Sequence, residues 1–72
     1  MTATPAAPPR LLRLPEVSRA TGLARSSIYD AIAAGRFPRA IPLTATARAW
    51  RSDEIEEWIA QRIAARDEGA AA

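Results

Sequence analysis

The sequence contains no cysteine, no histidine and no lysine. Without cysteine, the chain can build neither a disulfide framework nor a zinc site of the Cys₄ or Cys₂His₂ type. The absence of histidine removes the commonest metal ligand and the commonest general base. No apolar run approaches the roughly 20 residues that span a bilayer, and the N-terminus lacks the basic and apolar regions of a signal peptide. We therefore expect no metal, no cofactor, no enzymatic activity and no membrane partner in a soluble cytoplasmic protein.

A length of 72 residues allows one small domain. Residues 1–9 hold three Pro and three Ala and no side chain that could anchor a core, so we predict a disordered N-terminal lead. Residues 68–72 are predicted to be a frayed C-terminal tail. The folded domain is then residues 10–67, and at this size it must use nearly every large apolar side chain in its core.

Positive and negative charges are unevenly distributed along the chain. Residues 1–51 hold eight Arg against Glu16 and Asp30, a net charge of +6. Residues 52–72 hold two Arg against six acidic residues, a net charge of −4. A basic first part followed by an acidic segment indicates a polyanionic partner.

The first helical pattern is short. Pro15 followed by Glu16 is typical of a helix start, and Gly22 is typical of the left-handed residue that ends a helix. Val17 and Ala20 are predicted to face the core.

A second helix is predicted over residues 25–34, closed by Gly35. Ile28 and Ile32 lie at positions i and i+4, which gives the helix one apolar stripe and leaves the opposite face polar. Two helices joined by a short glycine-containing turn form the helix-turn-helix pattern.

The next segment predicts a β-hairpin. Pro38 and Pro42 restrict residues 36–43 to an edge strand or a loop. Residues 44–48 are a small polar tip, and residues 49–51 return as a short strand. We call residues 40–51 the wing.

The last helix is predicted over residues 53–67, with Ser52 as its N-cap and four acidic residues near its start, which suit the positive end of the helix dipole. Its apolar stripe consists of Ile55, Trp58, Ile59 and Ile63. The fold class that follows is mainly α with a small β-hairpin, a winged helix-turn-helix. The glutamates near its start are explained by dipole compensation and do not indicate a catalytic pair.

The two tryptophans are predicted to be core residues rather than base-stacking platforms. We expect Trp50 and Trp58 to pack with Ile28, Ile32 and Ile59, because a core this small has few other large side chains. Phe37 is expected to lie in the core as well.

Four strings span every predicted element: LLRLPEVSRATGLARSSIY at residues 11–29, AGRFP at 34–38, WRS at 50–52 and EIEEWI at 54–59. They lie within a stretch of about 50 of the 72 residues, and this part of the chain resembles the AlpA family of phage regulators. The resemblance implies a MerR-like or excisionase-like winged helix. It also implies a DNA-binding transcriptional regulator of a prophage or integrative element, with an excisionase (a recombination directionality factor) as the alternative.

The implied ligand is double-stranded DNA, with the helix over residues 25–34 in the major groove and the wing on the adjacent backbone or minor groove. An integrase and RNA polymerase are the candidate protein partners. We expect a nucleoid-associated bacterial protein that is a monomer in solution and binds repeated sites cooperatively.

The candidate DNA contacts combine donors on the polar face of the second helix with arginines that follow it. Arg can hold the O6 and N7 atoms of guanine with two hydrogen bonds, and Ser and Tyr hydroxyls suit phosphates or base edges. The predicted set is Arg25, Ser26, Ser27, Tyr29, Arg36, Arg39 and Arg48. Arg51 is equally interpretable as an ion-pair partner of the acidic helix.

Four positions depart from the family pattern. Thr44 and Ala49 in the wing stand where members commonly carry Gly. Ala24 stands where members usually carry a Ser N-cap, and a missing cap costs about 1 kcal/mol of helix stability. Asp30 stands where members often carry a basic residue. Ala24 and Asp30 favour a more distant alternative, a protein–protein interaction module that has lost DNA binding.

Overall fold

The structure of the protein is a computed structural model, which describes residues 8–71, with side-chain exposure given to residue 69. Most of the predicted lead, residues 1–7, lies outside the described residues. The described part contains three helices and three short strands. They are β1 (Leu11–Leu12), α1 (Leu14–Thr21), α2 (Arg25–Ala33), β2 (Ile41–Pro42), β3 (Arg48–Arg51) and α3 (Ser52–Ala71).

The strands form an antiparallel sheet in the order β1-β3-β2. β2 and β3 are the predicted hairpin, with Ile41 opposite Ala49. β1 was not predicted, and it pairs with the other edge of β3, placing Leu12 opposite Trp50. The sheet therefore joins the start of the domain to its wing.

A pair of hydrogen bonds extends the β1–β3 ladder by one residue. The Ser52 N–H donates to the Arg10 carbonyl at 2.8 Å, and the Arg10 N–H donates to the Ser52 hydroxyl at 2.8 Å. Ser52 was predicted to be the N-cap of the last helix, but its hydroxyl instead accepts the N–H of Arg10, the residue that precedes β1. The Asp53 carboxylate accepts the Glu54 N–H at 2.8 Å at the start of α3.

Helix α1 begins one residue before the predicted Pro15. The Arg13 N–H donates to the Glu16 carboxylate at 3.1 Å, and Gly22 ends the helix with φ of 75°. Val17 is fully buried as predicted. Ala20 is exposed, and its inward placement was wrong because the last turn of α1 reaches past the core to the edge of a surface groove.

Side-chain hydrogen bonds hold the turn between α1 and α2. The Ser18 hydroxyl donates to the Leu23 carbonyl at 2.6 Å. The Thr21 hydroxyl donates to the Val17 carbonyl at 2.8 Å and accepts the Leu23 N–H at 3.3 Å. These contacts fix where α2 starts relative to α1.

Helix α2 ends at Ala33, one residue before the predicted end. Gly35 has φ of 75°, a conformation that favours glycine, and its N–H donates to the Ile32 carbonyl. The chain then turns toward the wing.

Helix α3 runs to Ala71, four residues past the predicted end at residue 67. Gly69 does not adopt the left-handed conformation that ends α1, and the flanking Ala-rich sequence favours helix. The helix also outlasts the core, so that Ile63, the last residue of its predicted stripe, is 47% exposed. No helix in the described part of the chain is both long and apolar enough to cross a membrane.

The core lies between the sheet and the three helices. Its largest fully buried side chains are Val17, Ile28, Trp50 and Ile55. Phe37 is buried as predicted, and Trp58 packs against this cluster from its edge, with its ring 5.0 Å from that of Phe37 in an edge-on arrangement. Both indole N–H groups are satisfied by backbone carbonyls, Trp50 by Pro38 and Trp58 by Arg36.

Candidate nucleic-acid interface

Burial of one side of α2 fixes which side faces solvent. Ile28 is fully buried and Ile32 packs against the core. The remaining polar side chains of the helix are exposed. We call four of them, Arg25, Ser26, Ser27 and Tyr29, the outer face of α2; the acidic Asp30 is exposed on the same helix.

The N-terminus of α2 has no side-chain cap. Ala24 occupies the N-cap position with extended backbone (ψ 160°), and it has no oxygen that could accept an amide hydrogen bond from the first turn. The first turn also lacks an acidic residue. The partial positive charge of the helix N-terminus is therefore not compensated locally, and such an end favours anions.

Three side chains form a series from the core to the solvent. The Arg25 guanidinium carbon lies 6.0 Å from the centroid of the Tyr29 ring. The centroid of the Tyr29 ring lies 6.5 Å from the centroid of the Trp50 ring, and the two ring planes meet at 59°. The structure thus brings two of the predicted contact residues together, and it places behind them a strand residue that was predicted only as core.

A groove of about 410 Å³ separates α2 from the wing. It is lined by Tyr29, Ile32, Arg39, Ala40, Pro42 and Arg48. Arg39 and Arg48 are both exposed, and within residues 8–69 neither has an acidic side chain within ion-pair distance. The groove therefore presents two positive charges that are not engaged in ion pairs within this part of the chain, next to the outer face of α2.

The tip of the wing is closed without glycine. The Thr44 hydroxyl accepts the N–H groups of Thr46 and Ala47, at 3.3 and 3.0 Å. The Leu43 N–H donates to the Ala47 carbonyl at 2.8 Å. These bonds give the tip a defined shape and hold Arg48 at the start of β3.

Arg36 lies apart from the other predicted arginines. It lines a second groove, of about 400 Å³, between the loop after α2 and α3, together with Glu54 and Glu57. Its carbonyl accepts the Trp58 indole N–H at 2.8 Å. Arg36 therefore faces an acidic neighbourhood, whereas Arg39 and Arg48 do not.

Arg51 is committed to an ion pair. Its guanidinium donates two hydrogen bonds to the Asp53 carboxylate, at 3.0 and 2.8 Å. This pairing lowers the pKa of Asp53 and raises the pKa of Arg51, mainly through the side-chain hydrogen bonds. Of the two interpretations of Arg51, the structure contains the ion pair with the acidic helix.

Two contributions to this surface could not be read from residue types. One is the Ser18 hydroxyl, which bonds across the turn that positions α2. Trp50 was assigned to the core, yet its ring also supports Tyr29. The signal for Trp50 lies in the pairing of β1, β2 and β3, which sequence periodicity does not specify in strands this short.

Comparison with known sequences places this surface in a family context. The sequence model of the family described as Prophage CP4-57 regulatory protein (AlpA) matches residues 10–63. The uncharacterized protein ORF88 of Enterobacteria phage P4 is 45% identical, over 83% of this chain and 68% of that protein. The DNA-binding transcriptional activator AlpA of Escherichia coli K12 is 39% identical, over 74% of this chain and 84% of that protein.

Proposed function

The chain belongs to the AlpA family of prophage regulatory proteins, and from this we propose that it is a sequence-specific double-stranded DNA-binding protein. It regulates transcription from a prophage or integrative element in the bacterial cytoplasm. Helix α2 enters the major groove, and the wing lies on the adjacent backbone or in the adjacent minor groove. The E. coli relative, which is named a DNA-binding transcriptional activator, supports this role.

The observation that carries the proposal is the groove between α2 and the wing. Its lining includes Tyr29 from the outer face of α2, Arg39 from the residue just before the wing, and Arg48 from the wing itself. A helix with an exposed polar face beside an arginine-bearing hairpin is an arrangement that can place one element on base edges and the other on phosphates.

Base contacts are assigned to the first turn of α2. Arg25 is the residue whose guanidinium can hold guanine O6 and N7 with two hydrogen bonds. Ser26 and Ser27 supply hydroxyls that can donate or accept, and Tyr29 lies on the same face, 36% exposed. The uncapped start of this helix suits a nearby phosphate.

Phosphate contacts are assigned to the arginines that follow α2. Arg39 and Arg48 line the groove, and neither forms an ion pair with an acidic side chain within the described residues. Arg36 is assigned a weaker contact, because Glu54 and Glu57 line the same groove and lower the local positive potential.

A salt-dependent binding assay tests the proposal. Duplexes from the flanks of the protein's own gene and of any neighbouring integrase gene are compared with scrambled duplexes of equal length and composition. We expect tight binding to a discrete site, with affinity that falls linearly on a log–log plot against salt concentration. The Arg39→Ala variant reports on the groove, and Arg66→Ala on α3 is its matched control.

The position of the bound site separates the two regulatory roles. A site at a promoter supports transcriptional control, and sites beside a recombination junction favour the excisionase role. Equal and weak binding to native and scrambled duplexes, even at low salt, would contradict sequence-specific DNA binding and would favour the protein–protein module.

A further inference from the structure

We infer that the Tyr29 ring is a positioning element of the interface, which holds the Arg25 guanidinium in the direction of a base edge and connects α2 to the wing through Trp50. This inference rests on the proposed function, because the direction of Arg25 matters only if Arg25 faces a base pair. It assigns the role of Tyr29 to its ring, whereas a direct DNA contact would use its hydroxyl.

The contact between Arg25 and Tyr29 follows from their spacing. Residues at i and i+4 are neighbours on a helix surface. The guanidinium carbon lies 6.0 Å from the ring centroid, which is at the outer limit of the range in which an aromatic ring attracts a cation. Arg is also the cation best suited to this contact, because its planar group can stack on a ring.

The other side of the series is rigid. Trp50 is 1% exposed, and its indole N–H donates to the Pro38 carbonyl at 3.0 Å. Trp50 lies in the central strand, β3, where its backbone is paired with that of Leu12 in β1. A Tyr29 ring placed 6.5 Å from this indole, in a tilted arrangement, has a fixed neighbour to pack against.

The contact with the Tyr29 ring affects DNA binding in two ways, through the conformational entropy of the Arg25 side chain and through the direction of its guanidinium. An exposed arginine has many side-chain conformations, and binding must select one of them. A ring that restricts these conformations before DNA arrives lowers that cost, which is the general effect of preorganisation. The benefit is specific to the base pair that Arg25 reads, since within the described residues Arg25 is the arginine whose guanidinium lies over the Tyr29 ring.

The ring contact is tested first in the absence of DNA. In NMR spectra of the free protein, the side-chain protons of Arg25 are expected to carry a ring-current shift. Tyr29→Leu keeps an apolar side chain but removes the ring, and it should abolish this shift. Tyr29→Phe keeps the ring and should preserve the shift. Equal Arg25 spectra in wild type and Tyr29→Leu would overturn the inference.

The positioning role is tested by selection from a library of randomised duplexes. The base pair read by Arg25 is identified as the position whose preference Arg25→Ala flattens. Tyr29→Leu should reduce selectivity at that base pair by about two- to fivefold, as expected for an exposed cation–aromatic contact. Tyr29→Phe should restore it to within about twofold of wild type.

A double variant separates positioning from general destabilisation. In an Arg25→Ala background, Tyr29→Leu should cause no further loss of affinity for the selected site, because its effect acts through Arg25. Urea unfolding of each variant verifies that the domain remains folded. A loss that persists in the Arg25→Ala background would overturn the positioning role.

The failures of the two proposals differ. If wild type selects no sequence from the library, the proposed function fails and the positioning role falls with it. If wild type selects a sequence and Tyr29→Leu retains full selectivity, only the positioning role is overturned. If Tyr29→Phe loses as much as Tyr29→Leu, the hydroxyl is the contact and the inference is wrong.

Discussion

All ten positively charged side chains of this protein are arginines. A guanidinium is planar, offers five donors in a fixed geometry and can stack on an aromatic ring while it donates hydrogen bonds from its edge. An ammonium group does none of these things with the same directionality. The chemistry of the outer face of α2 and of the groove therefore depends on residue identity as well as on charge.

Arg25→Ala is expected to weaken binding to the specific site by about 1–3 kcal/mol and to relax preference at one base position. Competition binding with single-base variants of the site measures both effects. Arg25→Lys should keep the general affinity but lose most of the preference, because lysine cannot form the two-bond contact. An unchanged base preference in both variants would refute the docking of α2.

Arg39→Ala is expected to act differently, since a phosphate contact carries no sequence information. Affinity should fall by a similar factor for specific and scrambled duplexes, and the slope of log affinity against log salt should decrease by about 1. The control is Arg66→Ala, which should leave the slope unchanged. Arg66 is an exposed arginine of α3 that pairs with Asp67. A sequence-dependent loss in Arg39→Ala would assign that residue to a base contact instead.

At the scale of elements, the uncapped start of α2 predicts a stabilising substitution. Ala24→Ser supplies the missing acceptor for an amide of the first turn and should raise the free energy of unfolding by about 1 kcal/mol. Ala33→Ser, at the exposed end of the same helix, should lower it slightly because serine is the poorer helix former. Thermal and urea unfolding of both variants measure the difference, and equal stabilities would show that the cap position is misassigned.

The two tryptophans are predicted to differ in their contribution to stability. Trp50→Ala should cost about 3–5 kcal/mol, the usual range for a fully buried aromatic, and in a domain this small that loss is enough to unfold it. Trp58→Ala should cost less, because Trp58 is only partly buried at the edge of the core. Circular dichroism and urea unfolding measure the loss of stability in each variant. A larger loss in Trp58→Ala than in Trp50→Ala would contradict the prediction.

The elements that sequence could predict are those with a periodic apolar pattern or a conformational signal. The three helices and the hairpin have such signals. Two examples are the spacing of Ile28 and Ile32 in α2 and the glycines that follow α1 and α2, Gly22 and Gly35. β1 has none, because two leucines before a proline do not distinguish a strand from a loop. The outward positions of Ala20 and Ile63 could not be predicted either. Periodicity indicates which face of a helix is apolar but not where along the helix the core ends.

For the candidate site, sequence could predict which side of α2 is exposed, because burial of Ile28 decides it. It could not predict that Tyr29 lies between Arg25 and Trp50, since that depends on how β3 is placed against the helix. It also could not separate Arg36 from Arg39, which are three residues apart but line different grooves. Neighbours across elements follow from tertiary packing, which local patterns do not encode.

At the scale of the whole molecule, the charge asymmetry has a spatial counterpart. The acidic residues near the start of α3 are exposed, and two of them, Glu54 and Glu57, line a different groove from Arg39 and Arg48. Clustered carboxylates repel phosphates, so α3 is expected to face away from bound DNA, and the domain can approach a duplex productively from one side only.

Neutralising acidic residues of α3 tests this orientation. The double variant Glu56→Gln/Glu68→Gln should change affinity for the specific site by less than about threefold at 0.15 M salt, because charges more than a Debye length from the DNA are screened. Base preferences should stay the same. An increase in affinity above about tenfold, or an altered base preference, would place α3 against the duplex.

The central position of β3 in the sheet also determines when the protein can fold as it is made. Both edge strands pair with β3, and β3 follows them in the chain, so the ribosome completes the central strand after both of its partners. Until residue 51 has emerged, Leu11 and Ile41 have no strand to pair with, and the indole that supports Tyr29 does not yet exist. Synthesis of most of the domain must therefore precede closure of the sheet, and the surface assigned to DNA is completed only when β3 has emerged.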